Sequence, residues 1–512
     1  MIVVYHNNKS IVRVEANDKS IVFDEKSSIA HGLMQLAIRF PESKLVWCYQ
    51  ECCKYINLEE VPKLMHHQKM MLSYNPSGSN YLGNRIGYVE DSPYININKK
   101  VSYPTWQMSS FVGVINASVL IAFKDKIKLD YDFDYYLNSI AKVGMPLGLL
   151  CYSEPKLLSN IQISQTEKAT VFTLFRFVKQ HYKTRWVFLL LLNLFVYELR
   201  LSLLEFIYAF LFKNRNSTTV SLNKIVVHSS LKVVDKATLD VIIPTIGRKN
   251  YLYDVLQDLA KQTHLAINVI IVEQNPQEGS VSELDYLHTE SWPFAIKHTF
   301  THQAGACNAR NLALSQVESE WVFLNDDDNR FDSDLIERVL GNIRKYGVKS
   351  LTTSYLQEGE KLRYSIISQS GIFGSGNSFL KAELLKYVSF DKSLEFGYGE
   401  DTDFGLQLRN LGIDIIYFPE PAILHLKAPM GGFRIKPVFE WSNEVIQPKP
   451  SPAIMYVKKK HNTKEQVLGY KTTLFFKLLK KEKSINYISF ILSFKKKWNE
   501  SLYWANQLKN ND

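Results

Sequence analysis

Short apolar runs separated by polar turns recur along this chain, and their spacing predicts strands alternating with helices. Leu239-Asp240-Val241-Ile242-Ile243-Pro244 and Ile267-Asn268-Val269-Ile270-Ile271-Val272 read as buried strands, with a helix from about Asn250 to Lys261 between them. Trp321-Val322-Phe323-Leu324 reads as another, and Ile413 to Phe418 as a later one. The alternation over 238–435 predicts a doubly wound, mostly parallel sheet with helices on both faces. Ser43 to Cys48 and Gly148 to Tyr152 predict strands nearer the N-terminus, and Ile29 to Arg39 has helical periodicity. Residues 1–165 are therefore expected to form a second, smaller α/β domain. Residues 166–237 read as an apolar helical linker. Residues 436–512 read as a basic, aromatic-rich helical tail, in which Pro448, Pro450 and Pro452 stop any helix or inner strand.

At 512 residues the chain is too long for one ordinary core. An apolar content of 46% with 22% charged residues is globular, not disordered, composition. The five cysteines (Cys48, Cys52, Cys53, Cys151 and Cys307) make no zinc-type pair and fit buried, reduced thiols. Met1 to His6 has neither the basic nor the long apolar region of a signal peptide, so a cytoplasmic protein is expected. The net charge of +10 is concentrated at one end: Gly431 to Asp512 carries 16 Lys/Arg against 6 Asp/Glu. Such a tail calls for an anionic partner, lipid or nucleic acid. Between Trp186 and Phe212, Glu198, Arg200 and Glu205 interrupt the apolar run. Each central charge costs about 2.5–3.5 kcal/mol in a spanning helix, so packed helices, or helices along a bilayer surface, are expected there instead.

Two polar clusters carry candidate chemistry. Asn325-Asp326-Asp327-Asp328-Asn329 follows a strand directly, and carboxylates at a strand's C-terminal end suit a divalent cation and a phosphorylated ligand. The bland alternative is a solvated loop or helix cap, since Asp332 and Asp334 follow. Gly399-Glu400-Asp401-Thr402-Asp403 opens a helix and offers a carboxylate able to take a proton from a nucleophile. Its bland alternative is first-turn capping. Together they point to group transfer from a nucleotide-linked donor.

From Leu239 onward these residues, in order and spacing, resemble the inverting glycosyltransferases of family 2, which have the GT-A fold; the resemblance covers about 238–435. It implies that Pro244, Thr245 and Arg248 form the nucleotide-binding turn, and that Glu273 stands where the family usually has an aspartate reading the base. Arg310 and Asn311, in Gly305-Ala306-Cys307-Asn308-Ala309-Arg310-Asn311, are implied to border the nucleotide. Asp326 and Asp327 are implied to hold the donor, and Asp328 with His425 to bind Mn²⁺ or Mg²⁺. Asp401 is implied to be the general base, with Glu400 orienting the acceptor or the loop. Gly376-Asn377 is expected to let the backbone approach donor or acceptor closely, and Trp441 to belong to the acceptor wall.

Residues 28–160 more weakly resemble the same fold, through Asp130 to Leu137 followed by Gly144 to Gly148. Val46 to Glu51 carries one acid where a metal would need more. The expectation is a GT-A-like domain without metal-dependent chemistry, an unrelated α/β domain being the alternative. In the tail, Val457 to His461, Lys477 to Lys481 and Lys495 to Trp498 interleave with Leu474-Phe475-Phe476 and Tyr487 to Leu492. Basic beside aromatic residues suits an interfacial helix on anionic lipid, and no nucleic-acid-binding module accompanies them. The reading is an inverting, metal-dependent glycosyltransferase. Its partners are a nucleotide-diphosphate sugar and a glycan or lipid-linked acceptor, and it is peripheral on the inner face of the cell membrane. A nucleotidyltransferase and a non-catalytic nucleotide-sugar-binding scaffold are the competing readings. Sugar, nucleotide, linkage and oligomeric state are left open.

Overall fold

The computed structural model describes residues 1–16, 19–22, 27–159, 168–215, 217–428, 438–482 and 486–510. They divide into two compact units, one of 1–231 with 462–480 and the other of 232–461 with 481–512.

The second unit is built on nine strands, eight of them in the order Ala295–Thr301, Asn268–Gln274, Leu239–Thr245, Trp321–Asn325, Asn377–Lys381, Ser350–Leu356, Ile416–His425, Asn329–Arg330. The first four run parallel, and Asn377–Lys381 is antiparallel to both its neighbours. The expected α/β GT-A fold is thus present. Val241, Ile242 and Ile243 are fully buried, as a parallel strand covered on both faces must be. Phe323 stacks on Phe379 across the antiparallel pair, centroids 4.2 Å apart.

One strand departs from expectation. The apolar run was expected to end at Phe418, before Pro419 and Pro421. The strand instead bulges, Thr353 pairing with Phe418 and Ser354 with Ala422, and continues to His425.

The first unit holds an eight-stranded sheet and the helices Ile29–Arg39 and Phe133–Gly144. Their caps are local: Ser28 accepts from the N–H of His31 and Asp132 from that of Tyr135. Five of its strands, in chain order Ile2–His6, Lys44–Tyr49, Met70–Tyr74, Val112–Asn116 and Leu150–Ser153, lie side by side as first, second, fourth, third, fifth. The strands beginning at Leu239, Trp321, Ser350, Asn377 and Ile416 lie in that same order, with the same directions between neighbours. The difference lies beyond the first strand. There the second unit adds two parallel strands, and the first unit has, among the described residues, only the antiparallel Ile11–Ala16 and Lys19–Ser20.

These units cut the chain differently from the four expected segments. The helices Val171–His181, Arg185–Glu198 and Leu203–Ala209 put Phe175, Phe177, Val187, Leu190 and Leu194 into the first unit's core. Glu198 pairs with Arg85 at 2.7 Å and Glu205 with Arg200 at 2.9 Å. Among the described residues no helix is long and apolar enough to cross a membrane. The tail is divided too. Lys464–Leu479, opened by a Thr463–Gln466 capping box, belongs to the first unit, and Pro452–His461 and Tyr487–Asn510 to the second. The expected boundary at 435/436 lies outside the described residues. Four cysteines are buried, Cys53 is partly so, and all five are free thiols.

Asp240, fully buried in the Leu239–Thr245 strand, ties the lower edge of the second sheet together. It accepts from the Asn268 amide and backbone N–H (2.8 and 3.2 Å), from the backbone N–H of Glu318 and Ser319 (2.8 and 3.0 Å), and from Ser319 Oγ (2.6 Å). Asp240→Ala strands these donors and is expected to destabilise the unit by about 3 kcal/mol, measured as a lowered urea midpoint.

Candidate active site

The acidic cluster sits at a turn dictated by its flanks. Trp321–Asn325 is buried along its whole length, and Asn329 pairs with His425 in the next short ladder. Asp326, Asp327 and Asp328 thereby line one cleft of about 370 Å³, together with Pro244, Thr245, Arg248, Gln274, Arg310, Glu395, Glu400 and His425.

Each of the three acids has its own partners. Asp326 accepts from Arg310 Nη2 at 3.1 Å and from the Tyr355 hydroxyl at 3.0 Å. Asp327 accepts from Thr245 Oγ1 at 2.7 Å and from Arg248 Nη1 at 2.6 Å; burial nevertheless pushes its pKa up to about 6. Asp328 accepts from the same Arg248 nitrogen at 2.8 Å and from the N–H of Ala428 at 3.0 Å, with His425 Nε2 3.4 Å away. Burial opposes its ionisation, but His425, Ala428 and Arg248 together hold its pKa below the usual range. His425 in turn is raised, chiefly by its bond to Asp328. Its ring stacks on Tyr355, centroids 4.5 Å apart at 7°.

Asp401 is the second residue of the helix Glu400–Asn410. Burial raises its carboxyl to about 6, Arg310 opposing the rise, Glu400 adding to it and a Ser375 hydrogen bond opposing it. Its Oδ1 is buried without a hydrogen-bond partner among the described residues. Buried Arg310 feels Asp326 most strongly, then Asp401 and Glu400, so one guanidinium lies in the field of both acidic motifs.

Three expected residues sit elsewhere. Glu273 is engaged by Ser282 Oγ at 2.5 Å, the Glu283 N–H at 3.2 Å and His298 at 3.0 Å, and it is the next residue, Gln274, that lines the cleft. Asn311 clasps the Phe390 backbone, donating to its carbonyl at 2.8 Å and accepting from its N–H at 2.9 Å. Asn377 donates to the Thr353 carbonyl and Thr352 Oγ1 beneath the sheet. Gly376 is needed for a close approach, but the approaching group is Asp326, into whose carboxylate a Cβ would collide. Tyr355 and Glu395 were missed. Glu395 accepts from the N–H groups of Cys307 and Asn308 at 3.0 and 2.8 Å, capping the helix Ala306–Leu314. Its one local signal was its place five residues before Glu400.

Among the described residues no three metal-ligating side chains converge. Asp328 and His425 do form a two-ligand set, the imidazole Nε2 lying 3.4 Å from Asp328 Oδ1. One carboxylate and one imidazole fit a divalent ion that takes its other ligands from phosphate and water.

Residues 240–393 match the family model for glycosyl transferase family 2, and the chain carries a domain of that family. An uncharacterised glycosyltransferase of Haemophilus influenzae is 32% identical over 102 residues, covering 20% of this chain and 33% of that protein. One of Rickettsia conorii is 28% identical over 148 residues, covering 29% and 24%. The chain thus spans a third or less of the length of these relatives. The structure of S. aureus TarS 1–349 in complex with UDP-GlcNAc is similar over 46% of this chain and 70% of that one, at 18% identity and a TM-score of 0.32.

Gly376→Ala pushes Asp326 off Arg310 and Tyr355. It is expected to weaken nucleoside-diphosphate binding by about tenfold, read by calorimetry; an unchanged affinity would mean that Asp326 does not serve the ligand.

Proposed function

We propose that the second unit moves a sugar from a nucleoside-diphosphate donor to a hydroxyl of a glycan or lipid-linked acceptor, with inversion. The observation that carries this reading is Asp401: a carboxylate raised to about 6, one oxygen unpartnered among the described residues, electrostatically coupled through Arg310 to the Asp326–Asp328 cluster. Such a group is ionised at neutral pH yet basic enough to take a proton. Thr245, Arg248 and Arg310 orient the donor, and Asp326 and Asp327 hold those cations in place. Asp328 and His425 would hold Mn²⁺ or Mg²⁺, which when bound offsets the charge of the departing diphosphate. Asp401 accepts the acceptor's proton as its oxygen attacks opposite the diphosphate, and Glu400 orients that approach. Nucleotidyl transfer has no use for a downstream Glu400–Asp401 pair, which disfavours that alternative.

Asp328→Ala and Asp401→Asn are each expected to lower transfer by about a hundredfold or more, with nucleoside-diphosphate binding kept in Asp401→Asn. In the wild type, kcat/KM should fall about tenfold per pH unit below pH 6, as Asp401 protonates. Both are read in a donor-turnover assay; full activity in Asp401→Asn would leave the non-catalytic scaffold as the better reading.

We infer that the first unit is a copy of the same fold lacking the donor half. Its support is the shared five-strand order and one matching pair of residues. Ser110 donates its N–H and Oγ to Asp134, the second residue of the helix Phe133–Gly144, at 2.7 and 2.8 Å. Ser375 gives the second-position Asp401 a side-chain hydrogen bond. The two parallel strands that would complete a nucleotide site are replaced by the antiparallel pair.

Association with the inner face of the cell membrane is the further part of this reading. In the first unit, Leu199 after the helix Arg185–Glu198, Leu204 in the helix Leu203–Ala209 and Leu211 just beyond it are exposed by 86%, 73% and 76%. Lys183, Arg185 and Lys213 flank this stretch and are exposed. In the second unit, Tyr487, Ile488, Ile491 and Leu492 are exposed one turn before exposed Lys495 and Lys496. Apolar faces bordered by cations suit an anionic bilayer surface. Not all of the tail's charge is free for lipid: Lys460 pairs with Asp391 and Asp403 at 2.8 and 2.9 Å, and His461 bonds Asp403 at 2.6 Å. In flotation with phosphatidylcholine–phosphatidylglycerol vesicles, Leu204→Asp with Leu211→Asp is expected to reduce the bound fraction about tenfold. High salt should weaken wild-type binding. A wild type that never floats removes this part of the reading.

A further inference from the structure

A second cavity, of about 300 Å³, adjoins the cleft, and Glu395 and Gly397 line both. Its other walls include Phe439 and Trp441 on one side and Trp504 and Gln507, from the helix Tyr487–Asn510, on the other. Phe439 and Trp441 stack face to face, centroids 4.5 Å apart at 7°. Trp504 closes the corner, 6.0 Å from Trp441 at 54°. The indole N–H of Trp504 is buried and has no hydrogen-bond partner among the described residues. A buried donor left unpaired costs about 1–3 kcal/mol, so a ligand that supplies an acceptor gains from meeting it. Lys392, Glu440 and Gln507 add polar groups of both kinds to the walls.

Flat apolar faces beside a few directed polar groups are what a pyranose ring requires: its C–H face packs on the rings and its hydroxyls take the donors and acceptors. Position points the same way. The cavity shares Glu395 and Gly397 with the cleft that Glu400 also lines, so a sugar held here lies across that shared wall from the donor cleft.

We propose that this aromatic cavity is the acceptor subsite and binds the terminal sugar ring of a glycan, a proposal that rests on the transferase reading above. The acceptor hydroxyl gives its proton to Asp401 while its oxygen forms the new bond to the anomeric carbon. The bond from that carbon to the diphosphate oxygen breaks, and its electron pair leaves with the diphosphate. The C-terminal helix, through Trp504 and Gln507, contributes to acceptor choice.

The test uses the full chain with p-nitrophenyl glycosides of glucose, galactose, mannose and N-acetylglucosamine as acceptors. Binding is followed by saturation-transfer NMR, and transfer alongside acceptor-independent donor hydrolysis. Trp441→Ala and Trp504→Ala are expected to raise the acceptor KM, or the glycoside Kd, about tenfold with donor hydrolysis unchanged. Trp504→Phe, which keeps the ring and removes the N–H, should show a smaller rise and guards against misfolding of the alanine variant. Unchanged acceptor saturation in all three variants overturns the proposal, as does no binding of any glycoside to the wild type. Loss of donor hydrolysis in Asp328→Ala with intact glycoside binding upholds the subsite independently, whereas no donor turnover in the wild type counts against the transferase reading.

Discussion

Everything at the carboxyl edge of the second sheet depends on two arginines balancing a crowd of acids. Asp326, Asp327, Asp328 and Glu400 line one cleft, with Asp401 beside them. Gathered without countercharge they would repel one another and stay protonated or solvated. Arg248 spans Asp327 and Asp328, and Arg310 holds Asp326 while acting on Glu400 and Asp401. The balance is incomplete. Asp401 remains raised toward neutrality while Asp328 is held below the usual range, and the proposed roles of proton acceptor and cation ligand rest on that divergence.

That balance is set by backbone as much as by charge. Asp326 reaches Arg310 and Tyr355 because Gly376 has no Cβ. Tyr355 in turn binds Asn329 and stacks on His425, so strand ends that are distant in sequence fix one another's side chains. Farther out, Lys460 pairs with Asp391 and Asp403, and His461 bonds Asp403, on either side of the segment that leads into Asp401. Part of the C-terminal charge that reads as a membrane signal in the sequence therefore acts inside the domain.

How much was legible follows from how local each signal is. The strand at Leu239, the helix at Ile29 and the acidic turn after Trp321 are written in consecutive residues, and the structure has them within a residue or two. Glu273 shows where local reading fails. A strand's side chains alternate faces, so a one-residue choice along Asn268–Gln274 decides between the loop side, where Glu273 meets Ser282 and His298, and the cleft, where Gln274 stands. Two prolines hid the continuation to His425, because a bulge that carries a strand past them depends on its neighbour Ser350–Leu356.

By itself the sequence determined the alternation of apolar runs, the places of the acidic motifs at element ends and the excess of cations near the C-terminus. Those properties depend on neighbours a few residues apart. Tertiary structure alone decided which acids share a cation and which asparagines serve the backbone. It also decided that two sheets repeat one strand order, and that Trp441 meets Trp504. Those are relations between residues far apart in the chain, and only closing the sheet and docking the last helix brings their side chains within reach.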